Sequence, residues 1–216
     1  GSSSSLPSFT LATGDQNAFD GINIGEAAAL TLWDANKDGI MDASAASSDG
    51  IHLYRGSTNA PSFVEIADLG EHDPFVGVNA VIYTSGDLYL TNLYATFWDA
   101  NADGLVDLFV GAGDGSVTFF VNEGSTGSPM FTHVSSLLNP FFNTDDEVPP
   151  YDDDDMFDVI VSPSGYSTVA FVDTHANGIM DAYVGGLEGE ILYYRNDGSV
   201  AEPIFTLVTN EDAEDN

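Results

Sequence analysis

DANKDGIMD at residues 34–42, DANADGLVD at residues 99–107 and DTHANGIMD at residues 173–181 are three copies of one nine-residue pattern. Each copy has polar side chains at positions 1, 3, 5 and 9, a glycine at position 6 and an aliphatic residue at position 7. Carboxylate and amide oxygens that alternate around a tight glycine turn are the ligands that a hard cation such as Ca²⁺ prefers. The pattern therefore predicts calcium-binding loops, and its repetition predicts a fold built from copies of one unit.

The predicted ligands in each loop are the side chains at positions 1, 3, 5 and 9 and the backbone carbonyl at position 7. They are Asp34, Asn36, Asp38, Ile40 and Asp42 in the first loop, Asp99, Asn101, Asp103, Leu105 and Asp107 in the second, and Asp173, His175, Asn177, Ile179 and Asp181 in the third. Imidazole is a poor ligand for Ca²⁺, so we expect the third loop to bind more weakly or to keep His175 outside the coordination sphere. The sequence thus predicts two to three Ca²⁺ ions with a structural role.

Two other interpretations of these loops are an EF-hand and a turn without metal. An EF-hand places a bidentate Glu at position 12 and a helix on either side of the loop. Here position 12 is Ala45, Val110 or Val184, and the flanking residues alternate as they do in strands, which excludes the EF-hand. Clusters of Asp, Asn and Gly also form metal-free turns, and the sequence leaves that interpretation open.

A Pro-x-Phe element accompanies the loops and begins a short alternating stretch at residues 7–9, 61–63, 129–131 and 203–205. Such a stretch is typical of an edge strand that proline opens. A strand into each loop, a strand out of it and a third strand after a Gly-rich turn complete a unit of four short antiparallel strands. The sequence therefore predicts an all-β fold of β-propeller-type blades, with three full repeats and an orphan N-terminal strand.

The expected domain organisation is a linker at residues 1–6, a single repeat domain at 7–209 and an acidic tail at 210–216. Blades are expected at about residues 24–68, 86–136 and 158–209, with insertions at about 76–90 and 142–166. The second insertion holds an acidic run at 152–155, interpreted as a solvated loop, with binding of further cations or of a basic partner as the alternative. It also holds a DVIVSPSG stretch that predicts an extra strand. Closed propellers usually have four or more blades. The expected alternatives are a fragment of a longer protein, a ring completed with other protein chains or copies of this chain, and an open or filament-like array.

These motifs resemble the FG-GAP/VCBS repeats of integrin-α-type β-propellers. The resemblance rests on the three loops, on the LFVGAGDG and AYVGGLEG segments that follow two of them, on the YYRNDGS turn and on the Pro-x-Phe strands, and it covers about residues 7–208. It implies a β-propeller with one Ca²⁺ in each blade loop and an extracellular scaffold or recognition role.

The composition is strongly acidic, because Lys and Arg number 3 against 35 Asp and Glu, a formal net charge of −32. Nucleic-acid binding requires a basic surface, and anionic membranes repel such a chain. Cysteine is absent, which excludes thiol catalysis, and no serine lies in a G-x-S-x-G motif. Together with the extracellular role that the resemblance implies, these exclusions lead us to expect a secreted or cell-surface structural or adhesive module without enzymatic activity.

The sequence is also compatible with two other functions. A lectin-like propeller that binds glycans is the alternative function, and a hydrolase with paired carboxylates is a third possibility. Trp33 and Trp98, each directly before a loop aspartate, are interpreted as packing residues rather than as sugar-stacking ones. Arg55 and Arg195 occupy matching positions at the end of the third strand, where the second repeat has Val121, and are interpreted as ion-pair partners.

Overall fold

The computed structural model describes residues 10–58, 63–66, 72–79, 92–135, 138–142 and 159–209. After a 3₁₀ turn at Gly14–Gln16, its strands are β1 (Ala29–Trp33), β2 (Asp42–Ser47), β3 (Gly50–Gly56), β4 (Phe63–Glu65), β5 (Tyr94–Trp98), β6 (Asp107–Gly111), β7 (Ser116–Asn122), β8 (Phe131–His133), β9 (Val159–Ile160), β10 (Thr168–Val172), β11 (Asp181–Gly185), β12 (Ile191–Asn196) and β13 (Phe205–Leu207). In this part of the chain no helix is both long enough and apolar enough to cross a membrane.

The strands form three antiparallel sheets, each with four consecutive strands side by side. The first sheet is β1-β2-β3-β4, the second is β5-β6-β7-β8 and the third is β10-β11-β12-β13. Strand β9, which comes from the DVIVSPSG stretch, pairs with β7 of the second sheet. The all-β fold, the four-stranded repeat and the extra strand are therefore confirmed.

Three of the four Pro-x-Phe elements lead into the last strand of a sheet, since β4, β8 and β13 begin at their phenylalanines. The fourth element, at residues 7–9, lies outside the described residues. So do the predicted linker, the acidic tail, the acidic run at 152–155 and most of both predicted insertions.

One pairing register recurs in every sheet. The residue that precedes each loop pairs with the last aspartate of that loop, as Trp33 with Asp42, Trp98 with Asp107 and Val172 with Asp181. Because the register is the same, each residue of one sheet has an equivalent position in the other two. These equivalences allow the three copies of the unit to be compared side chain by side chain.

The front face of each sheet carries the residue directly before its acidic loop, which is Trp33, Trp98 or Val172. In the first two sheets this face is directed toward the next sheet in sequence, and the rear face lies on the opposite side. Phe109 and Phe119 on the front face of the second sheet share one hydrophobic core with Phe171 and Phe205 on the rear face of the third. Side chains alternate between the two faces of a strand, so every strand contributes to both sides of its sheet.

A second core fills the space between the first and second sheets. Leu53 and Trp33 on the front face of the first sheet meet Phe120 and Phe97 on the rear face of the second. Strand β1 lies against β5, and β5 lies against β10, so the three sheets are stacked in sequence order.

Threonine hydroxyls join the first strands of neighbouring sheets. Thr31 Oγ1 donates to the carbonyl of Ala95 at 2.7 Å, and Thr96, its equivalent in the second sheet, donates to the carbonyl of Val169 at 2.9 Å. A hydrogen bond of this kind contributes about 1 kcal/mol, and its direction fixes the relative position of the two sheets.

A short turn precedes each sheet and inserts a phenylalanine into its rear face. The side-chain oxygen of Asn17, Asp73 or Asn139 accepts the backbone N–H of the residue two positions later, at 3.1, 2.9 and 3.1 Å. The inserted rings are Phe19, Phe75 and Phe141, which pack on the phenylalanine that begins the fourth strand, at centroid distances of 4.5, 5.6 and 4.6 Å. The repeating unit is therefore a turn with its phenylalanine, followed by four strands.

Candidate cation-binding loops

Each acidic loop connects the first and second strands of a sheet and has two residues with positive φ. Position 4 has φ of 58°, 57° and 52°, and the glycine at position 6 has φ of 87°, 90° and 83°. A Cβ on Gly39, Gly104 or Gly178 would meet no atom within 4 Å, so the glycine is required by the backbone conformation and not by lack of space. The three loops therefore share one backbone shape.

The aspartate at position 1 holds the turn together. Asp34 accepts hydrogen bonds from the backbone N–H groups of Asp38 at 3.1 Å and Gly39 at 2.8 Å. Asp99 makes the same two bonds in the second loop, at 3.1 and 2.9 Å, and Asp173 makes them in the third, at 3.0 and 2.9 Å. Each carboxylate oxygen has a further lone pair, so these bonds orient the group without exhausting it as a ligand.

Positions 3 and 5 contact each other in the first two loops. Asn36 Nδ2 donates to Asp38 Oδ2 at 2.9 Å, and the backbone N–H of Ile40 donates to Asp38 Oδ1 at 2.8 Å. These two bonds keep the pKa of Asp38 below its ordinary value. Asn101 and Asp103 repeat the side-chain contact at 3.0 Å, so both loops have the same arrangement of exposed oxygens.

The aspartate at position 9 is buried and ties its loop to the third strand of the sheet. Asp42, Asp107 and Asp181 are only 1%, 0% and 3% exposed. One oxygen of each accepts the backbone N–H of the residue that ends the third strand, at 2.9, 2.8 and 2.9 Å. In the first two loops the other oxygen accepts the N–H at loop position 2, at 3.1 and 2.9 Å.

The first two loops differ in the positive charge that faces this buried carboxylate. Arg55, whose side chain is 14% exposed, pairs with Asp42 at 2.7 Å. The equivalent residue in the second sheet is Val121, so Asp107 lacks this arginine. Burial raises the pKa of Asp107 to about 6, although two backbone N–H groups oppose the shift. The nearby Asp103 and Asp99 add to it through their negative charge.

In the third loop an imidazole and a phenol hydroxyl, and not an arginine, contact the buried aspartate. His175 Nδ1 and the hydroxyl of Tyr193 both lie 3.1 Å from Asp181 Oδ2. Burial alone would raise the pKa of Asp181, but the hydrogen bonds it accepts outweigh burial and leave that pKa below its ordinary value. Burial and the contact with Asp181 raise the pKa of Tyr193 to about 12. His175 therefore contacts the position-9 aspartate of its own loop.

Both predicted arginine ion pairs are confirmed, although their partners differ. Arg55 pairs with the loop aspartate Asp42, whereas Arg195 pairs with Asp197 at 2.6 Å, two residues further along the chain. The interpretation of the tryptophans as packing residues is confirmed as well. Trp33 and Trp98 contact the first and second inter-sheet cores.

Among the described residues, no three histidine or carboxylate groups converge into an arrangement that holds a metal ion as it stands. The donors of the second loop nevertheless fit Ca²⁺ by their chemistry, because all four side chains are oxygen ligands. Its buried carboxylate, Asp107, also has a raised pKa, which a divalent cation would lower. The fit is poorer in the first loop, where Arg55 already faces Asp42, and in the third, where His175 does so for Asp181.

Tyr193 was not a predicted site residue, although its hydroxyl contacts the third loop. The signal is its place in the strand, because Tyr193 lies two residues before Arg195, the equivalent of Arg55. Alternation places both on the same face of the sheet. The pairing of β11 with β12 brings that face to the loop end.

An open groove of about 350 Å³ lies on the rear side of the first sheet, and Gly21, Ile22, Asn23, Tyr54, Phe63, Val64 and Glu65 line it. Phe63 and Glu65 are half-buried, so the groove offers a partly exposed ring beside a carboxylate.

No family model matches this sequence, and no curated protein is significantly similar to it.

Proposed function

We propose that this protein is a calcium-stabilised structural or adhesive repeat module of the FG-GAP/VCBS type, whose three sheets are β-propeller-type blades. The observation that carries the proposal is the acidic loop built three times, each with the same backbone hydrogen bonds to its first aspartate. A buried aspartate closes each loop against its sheet. This recurrence supports a common ligand for the loops.

In the second loop, Asp99, Asn101, Asp103, Asp107 and the carbonyl of Leu105 would hold the ion. Bound Ca²⁺ supplies positive charge that offsets the carboxylates and links the loop to the end of the third strand. Asp107 is the central residue of this set, because it joins the loop to Asn122 and carries the raised pKa.

The first and third loops are proposed as weaker sites. In the first, Asp34, Asn36 and Asp38 would bind the ion while Asp42 stays paired with Arg55. In the third, Asp173 and Asn177 provide oxygens, but His175 occupies one oxygen of Asp181. The expected order of affinity is therefore the second loop, then the first, then the third.

An extracellular location suits this role, because extracellular modules bind Ca²⁺ at about 10⁻⁴–10⁻³ M, the range in which the ion is present there. The net charge of −32 would otherwise oppose compaction and association, so bound cations support both. We propose a secreted or cell-surface module without enzymatic activity that works within an assembly of protein chains.

The decisive experiment measures thermal unfolding in EDTA, in Ca²⁺ and in Mg²⁺ at equal ionic strength. Ca²⁺ at a hundredfold excess over its Kd should add about 2.7 kcal/mol to the free energy of unfolding, whereas Mg²⁺ should add less. Equal melting temperatures in EDTA and in Ca²⁺ contradict the calcium proposal.

A matched pair of variants assigns the effect to a loop. Asp103→Asn removes one exposed carboxylate from the second loop, and Asp15→Asn removes one from the 3₁₀ turn near the N-terminus. The first should reduce the Ca²⁺ response and the second should preserve it. Terbium luminescence gives a direct readout, because Trp33 and Trp98 directly precede the first and second loops and can sensitise a bound lanthanide.

A second candidate function is glycan binding in the groove of the first sheet. The half-buried ring of Phe63 beside Glu65 and Asn23 has the mixed aromatic and polar character of a sugar site. Binding on a glycan array that Phe63→Ala abolishes would favour this candidate over a purely structural role.

A further inference from the structure

The two joints between consecutive sheets have one design. Trp33 on the front face of the first sheet stacks on Phe97 of the second, with ring centroids 4.3 Å apart. Trp98, its equivalent in the second sheet, packs on Phe171 of the third at 4.7 Å. A front face and a rear face of this protein therefore recognise each other twice within one chain.

The front face of the second sheet also has a stacked pair of rings that the third sheet covers. Phe109 and Phe119 stack at 4.5 Å and are 0% and 6% exposed. Phe109 packs against Phe171 at 4.8 Å and against Phe141, from the turn before the third sheet, at 6.3 Å. Phe109 of the buried pair thus contacts Phe171 of the first strand of the third sheet and the inserted Phe141.

The equivalent pair on the front face of the third sheet is Tyr183 and Tyr193, which stack at 5.1 Å. Among the described residues no sheet lies in front of them. On the same face Val172 is 47% exposed and Ile191 is 75% exposed. The Tyr193 hydroxyl is already bonded to Asp181 within its own sheet, so the apolar ring faces of the tyrosine pair are available for packing against a partner.

The rear face of the first sheet is the counterpart of this surface. Leu30 and Leu32 are 51% and 53% exposed. By register Leu32 occupies the position that Phe97 and Phe171 occupy in the other two sheets. Half-buried Phe19 occupies the position of the inserted phenylalanine of each unit. An exposed apolar surface of this kind is typical of an interaction site.

We propose that the front face of the third sheet docks on the rear face of the first sheet of a second copy of this chain. Tyr183 of one copy then contacts Leu32 and Phe19 of the next, as Phe109 contacts their equivalents within the chain. This inference deepens the proposed role in an assembly by naming the partner, and it rests on that structural role but not on calcium.

An asparagine amide fixes the register of the docked pair. Within the chain, Asn139 Nδ2 donates to the carbonyl of Val117 at 2.7 Å, across the second joint. Asn17 begins the equivalent turn of the first sheet, and Ile191 is the equivalent of Val117. Asn17 of one copy therefore donates to the carbonyl of Ile191 in the other.

A second copy of the chain is the occupant that the structure supports, because the docked pair continues the two joints already present in the chain. The new joint is weaker than those, since Val172 replaces tryptophan, Leu32 replaces phenylalanine and Ala170 replaces the bridging threonine. Smaller side chains bury less apolar area and so give a reversible association. Because the two surfaces differ, the contact is heterologous and extends into rings or filaments.

The experiment measures molar mass by sedimentation from about 1 µM to about 1 mM, the range of moderate to weak association. High salt screens the repulsion between chains of net charge −32. The wild type should increase in mass with concentration. Leu32→Asp and Ile191→Asp, which each block one face, should each remain monomeric alone, and their equimolar mixture should form a dimer with one copy of each.

The control is Leu138→Asp, because Leu138 is 71% exposed and lies in the chain segment that connects the second sheet to the third. This variant should associate like the wild type. Circular dichroism checks that each variant is folded. The proposal is overturned if the wild type stays monomeric over the whole concentration range. It is also overturned if Ile191→Asp associates as strongly as the wild type, or if the mixture of the two variants stays monomeric. Repeating the series in EDTA and in Ca²⁺ separates the outcomes, since association without a Ca²⁺ effect on melting defeats only the calcium proposal.

Discussion

The first and second acidic loops have nearly the same sequence, yet their buried aspartates lie in opposite electrostatic environments. Both loops have the same turn, the same bonds to position 1 and the same bond from position 9 to the third strand. Arg55 neutralises Asp42, whereas Asp107 faces no equivalent arginine and has its pKa raised to about 6. The charge balance of a loop is thus decided by a residue of the third strand, outside the loop motif.

The largest expected effect comes from Arg55→Ala, which removes the positive charge that distinguishes the first loop from the second. This change leaves Asp42 buried without its cation, and breaking a buried ion pair costs about 3–5 kcal/mol. Urea unfolding in EDTA measures the loss, and Ca²⁺ should recover part of it because the freed carboxylate becomes a ligand. Arg195→Ala is the control, since its partner Asp197 is exposed and the loss should be about 0–1 kcal/mol.

The second prediction concerns pH in the absence of Ca²⁺. Asp107 keeps its proton up to about pH 6 in the folded state, whereas an unfolded aspartate releases it near pH 4. The folded state therefore binds more protons in this interval, and the Asp107 contribution to stability decreases by about 2 kcal/mol as pH rises through it. Aspartates with lowered pKa, such as Asp38 and Asp181, act in the opposite direction, so the test is the difference between wild type and Asp107→Asn.

The free energy of unfolding of the wild type, relative to that of Asp107→Asn, should decrease between pH 4 and 6 as folded Asp107 loses its proton. The relative value should level off above pH 6. Parallel curves for the two proteins over this interval contradict the raised pKa of Asp107.

The third prediction converts the second loop into the first by Val121→Arg. The new guanidinium should pair with Asp107, lower its pKa and reduce the Ca²⁺ affinity of this loop by about tenfold, equivalent to about 1.4 kcal/mol. Val121 is half-buried against the second core, so some packing is lost at the same time. Val121→Met keeps the apolar contact without the charge, and calorimetric titration of the two variants with Ca²⁺ isolates the electrostatic part.

The smallest effect tests what the two loops share. Gly39→Ala and Gly104→Ala place a Cβ where φ is 87° or 90° but no atom stands within 4 Å. The expected loss is about 1 kcal/mol at each site, because only the left-handed backbone is penalised. Equal losses in thermal unfolding support one backbone shape for both loops, and a large difference between them argues against it.

Much of the fold could be predicted from the sequence, because the loops, the glycines and the Pro-x-Phe elements mark strand ends locally. The fourth strands do begin at Phe63, Phe131 and Phe205, and the extra strand lies where DVIVSPSG predicted it. Long-range geometry was less accessible. Asn17, Asp73 and Asn139 are residues of the types that favour turns. The sheet that receives each phenylalanine, however, depends on how the units stack.

The positions of the acidic loops could be predicted from the sequence, but the electrostatic environment of their aspartates could not. The equivalence of Arg55 and Arg195 in sequence suggested equal roles, yet Arg195 pairs with Asp197 while Tyr193 and His175 serve Asp181. A side chain at the end of a strand has several acidic neighbours within reach, and the choice among them depends on rotamers that sequence spacing does not fix. The calcium ligands themselves remain predictions.

The inserted phenylalanines define the boundaries at which a repeating unit of this protein can be excised or duplicated. Phe19, Phe75 and Phe141 come before the sheets they complete, so a module excised from the first strand onward would lack part of its own core. A module that begins at the asparagine or aspartate of the preceding turn carries that ring with it. Gene duplication, deletion and engineered extension of the array should therefore respect boundaries at Asn17, Asp73 and Asn139, and arrays spliced there should retain cooperative unfolding with each added unit.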